Sequence, residues 1–405
     1  MSVFATKGGS MFLSISLILF LGLSLGSLCK KIKLPSLLGM LVAGIVLGPY
    51  ALNLLDDSIL TISGEIRKIA LIIILTRAGL GLDLEGLKKL GRSAFLMCFL
   101  PASFELLGTV IIAPKVMGIS ILDAAIMGAV LAAVSPAVVV PRMVKMMDEG
   151  YGVEEGIPQL ILAGASVDDV FVIVLFTSFI GLSEGKSADI ISFLNIPVSI
   201  IFGIAIGIGI SVLLSYFFKR YEMDDVVKVL ILISISLLLS FLEDSISTPI
   251  TFSSLIAVMF LGVGIQKKDI DDAVRISGVY KKLWIGAEVF LFALVGASVN
   301  IAYLDKVGLS ALVIIVAALA FRMSGVFLCL LGTRLTWKER VFVTLAYTPK
   351  ATVQAAIGGI PLSLGLSCGE SILVVAVSAI LLTAPLGAFA IDFSYKRLLS
   401  HKRIG

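Results

Sequence analysis

Histidine is nearly missing from this chain: the 405 residues hold one, His401. Cysteine is scarce too. The four cysteines (Cys29, Cys98, Cys329, Cys368) are far apart, each in or beside an apolar run. No zinc or redox pattern can be built from such a set, and the cysteines read as small apolar core residues. Charged residues make up only 15% of the chain, where a soluble domain carries about 25%. No polar linker or long charged tail divides the sequence, which fits one membrane-embedded domain better than several soluble ones. No P-loop pattern is present, so nothing suggests ATP coupling. No nucleic-acid surface is evident. The expected class is therefore a non-enzyme with no bound cofactor.

What is present is apolar. The hydrophobic fraction is 59% and the mean hydropathy is +1.10. Met11 to Leu28 opens the series. Its length, the lack of a convincing cleavage site and the following Cys29-Lys30-Lys31 favour a retained helix over a cleaved signal peptide. Further spans are expected over 34–53, 69–82, 93–113, 121–147, 160–179, 190–218, 226–242, 249–265, 283–301, 307–332, 341–364 and 372–393. The fold class is thus an all-α polytopic membrane protein of about thirteen spans.

Basic residues orient it. When connections are assigned alternately to two sides, one side takes clusters such as Lys30-Lys31-Lys33, Lys88-Lys89-Arg92, Arg142 with Lys145, Lys267-Lys268 and Lys396-Arg397. The other takes only Lys7, Arg67, Lys68, Lys115, Lys186 and Lys306. The basic side is cytoplasmic by the positive-inside rule. The N-terminus is then outside and the C-terminus inside, which requires an odd number of spans. A wrong count would blur the alternation.

Asp168 and Asp169 sit side by side in the apolar run from Leu160 to Phe179. A carboxylate at mid-depth is costly unless paired, protonated or hydrated. Two adjacent ones resist joint ionisation. Two other spans are interrupted, one by Ser135 to Pro141 and one by Thr348 to Gln354. Proline removes a backbone donor, and a helix broken at mid-depth is tolerated where the freed groups face protein or a cavity. The breaks fall seven spans apart. One span before each lies a matched segment: Phe104-Glu105-Leu106-Leu107-Gly108 and Phe321-Arg322-Met323-Ser324-Gly325. An odd offset means two repeats of inverted topology. Paired broken helices in such a repeat point to a transporter binding site.

The segments ASVDDV (165–170), SPAVVVP (135–141) and TPKATVQAAIG (348–358), with LTRAGLGLD (75–83), resemble the monovalent cation/proton antiporter superfamily. The paired aspartates place the resemblance nearest the B-type sodium/hydrogen exchangers. It covers nearly the whole chain. It implies exchange of Na+ or Li+ for H+, in a multi-pass bacterial or archaeal plasma-membrane protein that forms a homodimer in lipid. It also implies an elevator movement of a core (93–182 and 307–395) against a dimerisation bundle (1–92 and 226–301), joined by a linker helix (183–225).

On this reading Asp169 is the cation ligand and proton carrier. Asp168 is a second ligand or an electrostatic tuner, with a structural ion pair as the alternative. Ser166, Ser135 and the backbone at Val139 are candidate accessory oxygens. Glu105 and Arg322 are expected to pair across the core. Lys350 is expected to offset the half-helix ends at the second break. Arg77, Glu243, Asp244 and Glu288 are expected to snorkel at span ends. The electrogenic bacterial antiporters carry lysine where Arg322 stands. Arginine does not release its proton, which favours electroneutral exchange. A K+/H+ exchanger remains open, because the sequence does not fix ion radius. A non-transporting sensor is disfavoured by the lack of a signalling domain after Phe393. An intramembrane aspartyl protease would need aspartates on separate spans.

Overall fold

The computed structural model describes residues 10–82, 91–183, 190–245 and 252–401. Within them helix dominates, and the one β-bridge joins Tyr151 to His401. In chain order the helices are α1 (Met11–Lys31), α2 (Ser36–Leu47), α3 (Asp57–Thr61), α4 (Ser63–Leu80), α5 (Gly91–Met97), α6 (Leu100–Met117), α7 (Ile121–Leu131), α8 (Pro136–Asp148) and α9 (Ile157–Ser183). They continue as α10 (Ile190–Arg220), α11 (Asp225–Ser245), α12 (Ser254–Lys268), α13 (Ile270–Ala297), α14 (Ile301–Cys329), α15 (Trp337–Ala346), α16 (Thr352–Ile357), α17 (Ile360–Ser363) and α18 (Gly369–Leu398). Each expected span has a helical counterpart. Among the described residues, eight helical stretches are long and apolar enough to cross a membrane.

Local signals set the ends. Ser10 accepts from the Leu13 N–H to start α1, and Ser120 accepts from Asp123 to start α7. Thr336 and Glu339 form a reciprocal capping box at α15, which satisfies two orphan donors at once. Gly118, in the left-handed region at φ 67°, closes α6.

One boundary differs from expectation. The helix before Ala297 begins at Ile270, not Leu283. Its first half carries Asp271, Asp272, Arg275, Lys281 and Lys282. A hydropathy window stops at such charges, but a helix continues wherever one face can stay solvated. Asp272 is held by Lys228 at 2.5 Å and by Arg275 at 2.6 Å. Glu243 likewise has a defined partner at its span end: its carboxylate accepts from the N–H and the hydroxyl of Ser254, the first residue of α12. Asp83, Lys88, Lys89, Lys186, Lys402, Arg403 and the side chains of Asp244 and Lys306 lie outside the described residues.

The chain packs as two compact units. One comprises Met1–Gly64, Leu84–Val172 and Val289–Gly405; the other comprises Glu65–Asp83 and Ile173–Glu288. The first holds both broken helices and both aspartates. Within it, α6 and α14 are close neighbours, and their contact explains the matched segments. A Cβ on Gly108 would overlap the Phe321 ring, and one on Gly325 would meet Phe104 and the Pro101 backbone. Each glycine makes room for the opposite helix, as an inverted repeat with a local two-fold requires.

Candidate functional site

The first broken helix unwinds over Ala132–Ser135, between α7 and α8. The break lies earlier than Ser135–Pro141. Pro136 takes the first position of α8, where its missing N–H costs nothing, and it holds the residue before it extended. Pro141 is inside α8 without ending it. The second break is Tyr347–Ala351, between α15 and α16. The two links touch: the Ser135 N–H donates to the Pro349 carbonyl at 2.8 Å.

Breaking a helix leaves orphan backbone groups, and several of them have named partners here. Lys350 Nζ donates to the Leu131 carbonyl at 2.7 Å. Gln354 Nε2 donates to Leu131 at 3.2 Å and to Ala133 at 2.9 Å. Arg322 Nη1 donates to the Ala132 carbonyl. The Val134 N–H donates to Asp168 Oδ2 at 2.9 Å. On the other link, the Tyr347 carbonyl accepts from Arg322 Nε at 2.8 Å, and the Lys350 N–H donates to Thr383 Oγ1 at 2.9 Å.

Arg322 is the hub. It is fully buried. Besides the two carbonyls, its guanidinium reaches Glu105 Oε2 at 3.0 Å and Asp168 Oδ2 at 2.7 Å. The expected Glu105–Arg322 pair is therefore formed. Lys350, also fully buried, joins the same carboxylate, 2.8 Å from Oε2 in a directed hydrogen bond and 2.6 Å from Oε1 in an ionic contact. Lys350 thus meets both the Glu105 carboxylate and the last carbonyl of α7.

The aspartates differ. Both are buried on α9. Asp168 spends one oxygen on Arg322 and Val134, and its Oδ1 has no hydrogen-bond partner. Asp169 Oδ1 is also buried without one. The Ser135 hydroxyl is in the same condition. Val139 lies in the first turn of α8, its N–H on the Ser135 carbonyl at 3.1 Å. The side chain of Ser166 lies outside the described residues. The α9 backbone approaches closely here: a Cβ on Gly164, one turn before Asp168, would fall on the Tyr347 hydroxyl.

The crossing thus gathers two buried cations, Arg322 and Lys350, and three buried carboxylates, Glu105, Asp168 and Asp169. The family model for sodium/hydrogen exchanger, transmembrane, matches residues 15–393. The chain belongs to the sodium/hydrogen exchanger family. Among its relatives, sodium/hydrogen exchanger 9B2 of Homo sapiens is 33% identical, over 97% of this chain and 76% of that protein. Sodium/hydrogen exchanger 9B1 of Homo sapiens is 32% identical, over 98% of this chain and 79% of that protein. In fold the exchanger matches the sodium proton antiporter MjNhaP1 from Methanocaldococcus jannaschii, solved at pH 8, with a TM-score of 0.83 and 22% identity, over 95% of this chain and 97% of the other.

Sequence reasoning did not assign Gln354, Tyr347 and Thr383. The signal for Gln354 was partial: it is an uncharged polar residue in an apolar stretch, four residues after Lys350. Nothing in the pattern marks Thr383, which meets the second link only through the fold.

Proposed function

We propose that this protein exchanges Na+ or Li+ for H+ across a membrane, electroneutrally, with Asp169 carrying the ion and Asp168 as its tuned partner. Family membership makes the coarse activity cation/proton antiport. The observation that carries the finer reading is the charge count in the buried cluster. Glu105, Asp168 and Asp169 supply three formal negative charges, and Arg322 and Lys350 supply two positive ones. One monovalent charge balances the set, and a sodium ion or a proton can supply it. Both cannot bind without leaving an excess charge in a dry interior, which is costly. Competition between them for one site is exchange of one for one.

The division of labour between the aspartates follows from their contacts. Arg322 and the Val134 N–H hold one oxygen of Asp168. Asp169 keeps one buried oxygen, Oδ1, without a hydrogen-bond partner among the described residues. Sodium favours oxygen ligands, and Asp168 Oδ1 and the Ser135 hydroxyl are further buried oxygens without partners. Ser166 and the backbone around Val139 complete the candidate shell. Arg322 engages four acceptors, so it releases no proton, in keeping with electroneutrality.

In this account residues 93–182 and 307–395 move as the core and carry the crossed helices. Residues 1–92 and 226–301 form the stationary dimerisation bundle, and 183–225 links them. The N-terminus lies outside and the C-terminus in the cytoplasm. The test is reconstitution of wild-type protein in sealed vesicles with a pH dye inside. Sodium or lithium added outside alkalinises the lumen, with the same rate whether the membrane potential is clamped or free. A response to potassium alone would replace the ion assignment. A potential-dependent rate would overturn electroneutrality. No response to any cation would overturn transport.

A further inference from the structure

At the crossing, the uncharged side chain of Gln354 donates to two backbone carbonyls. It is fully buried on α16. Both its partners, Leu131 and Ala133, are acceptors. The amide must therefore present its NH2 group to them, since an amide oxygen there would face two others.

The contact with Ala133 has a second end. The carbonyl of Ala133 and the N–H of Val134 belong to one peptide group. That group is planar and trans, so its C=O and N–H point in opposite directions from a rigid plate. Gln354 Nε2 holds the oxygen end at 2.9 Å, and Asp168 Oδ2 holds the hydrogen end at 2.9 Å. Rotating this plate to release Gln354 turns the N–H away from Asp168. In an unwound link, no helical hydrogen-bond ladder fixes the plate. Its orientation depends on the groups at its two ends.

We propose that Gln354 is a positioning residue for the aspartate pair. It acts through the Ala133–Val134 peptide to fix the Asp168 carboxylate, with one oxygen spent on the link and on Arg322 and Oδ1 left for the ion. The two hydrogen bonds of the Gln354 amide go to Leu131 and Ala133 and to neither aspartate, so its effect on cation affinity runs through the peptide. Lys350 shares its Leu131 anchor but does not reach Ala133, so it cannot replace this function. The inference rests on the ion site proposed above.

The test is sodium-dependent thermal stabilisation of the purified full-length protein, for wild type, Asp169→Asn and Gln354→Met. A ligand that binds only the folded state raises its melting point progressively as the ligand concentration passes the dissociation constant. Wild type is stabilised by sodium, and Asp169→Asn is not. Gln354→Met keeps the bulk and removes both donors. Its sodium titration moves to about tenfold higher concentration, the scale of loss when a group orienting a metal ligand is removed. A merely structural role would lower the melting point without sodium and leave the titration in place; that result overturns the proposal. Should Gln354→Met fail to fold, Gln354→Asn keeps the amide on an arm too short to reach Ala133 and carries the same expectation and the same refutation. If wild type itself ignores sodium, the ion site falls first. If wild type responds and both Gln354 variants match it, only the positioning role falls.

Discussion

The two repeats match in pattern and differ in electrical sense. At the crossing, the first repeat supplies acceptors: Glu105, Asp168 and the carbonyls of Leu131, Ala132 and Ala133. The second supplies side-chain donors: Arg322, Lys350 and Gln354; one backbone bond runs the other way, from the Ser135 N–H to the Pro349 carbonyl. Glu105 and Arg322 occupy equivalent places and carry opposite charge. A symmetric ancestor with like residues at both places would bury two like charges together, which a dry interior does not tolerate. Divergence to opposite sign turns a two-fold contact into an ion pair. The surplus carboxylate on one side is then the group proposed above to hold the ion. At the helix ends the sense is mixed. Glu149 accepts from Tyr395 at 2.7 Å in the usual direction, but Arg142 of the first repeat donates to Asp392 of the second. Water there screens either arrangement.

The comparison breaks most severely at Glu105. Glu105→Leu leaves Arg322 with one carboxylate and Lys350 with none, and removing one member of a buried pair typically costs about 3–5 kcal/mol. We expect a large fall in the yield of folded protein or in its melting point. Exchanging both residues, Glu105→Arg with Arg322→Glu, sharpens the point. A symmetric pair would tolerate the swap. Here the carbonyls of Ala132 and Tyr347 need donors from position 322, and Lys350 needs an acceptor at 105, so the double variant folds no better than Glu105→Leu in the same assay.

Arg322→Lys keeps the charge and loses the fork. It forfeits some of the charged hydrogen bonds, each worth about 1.5–3 kcal/mol, and slows sodium-driven proton movement in vesicles. At the helix ends the effects shrink. Asp392→Asn removes a partly exposed pair, and its loss of stability should stay within the roughly 0.2–1 kcal/mol of such bridges. It should vanish at high salt.

Smallest is a pH effect at Glu149. The hydroxyl of Tyr395, opposed by partial burial and aided by Lys145 and Lys396, holds this carboxyl below the ordinary glutamate range. A lowered folded-state value means that the stabilisation is fully present above the ordinary glutamate value, about 4.3, and fades as pH falls through the lowered one. Glu149→Gln should therefore be slightly less stable than wild type at neutral pH, and the gap should close as the medium is acidified. A gap that widens in acid would contradict the assignment.

Much of this was legible beforehand. Asp168-Asp169 in an apolar run, proline at two breaks and the Phe–Gly matched segments all act through local chemistry that a sequence displays. The partners of Lys350 were half legible: its task at a helix end follows from its place in the break, but its bond to Glu105, separated from it by most of the chain, does not. The exact unwound residues were hidden because proline breaks a helix in front of itself, so the link preceded the motif that announced it. The start of α13 was hidden because charge on one face looks like a loop to a hydropathy average. The role of Gln354 was hidden for another reason. It depends on the direction of a peptide plane, which no residue pattern encodes.

The central claim is that Asp169 carries the ion. The most direct test is sodium-driven proton movement in vesicles containing Asp169→Asn, with protein shown to be folded and inserted at wild-type levels. The account predicts no luminal alkalinisation on adding sodium, while wild type alkalinises under the same gradient. A variant that still exchanged sodium for protons at a rate near wild type would contradict it and move the ion site away from α9.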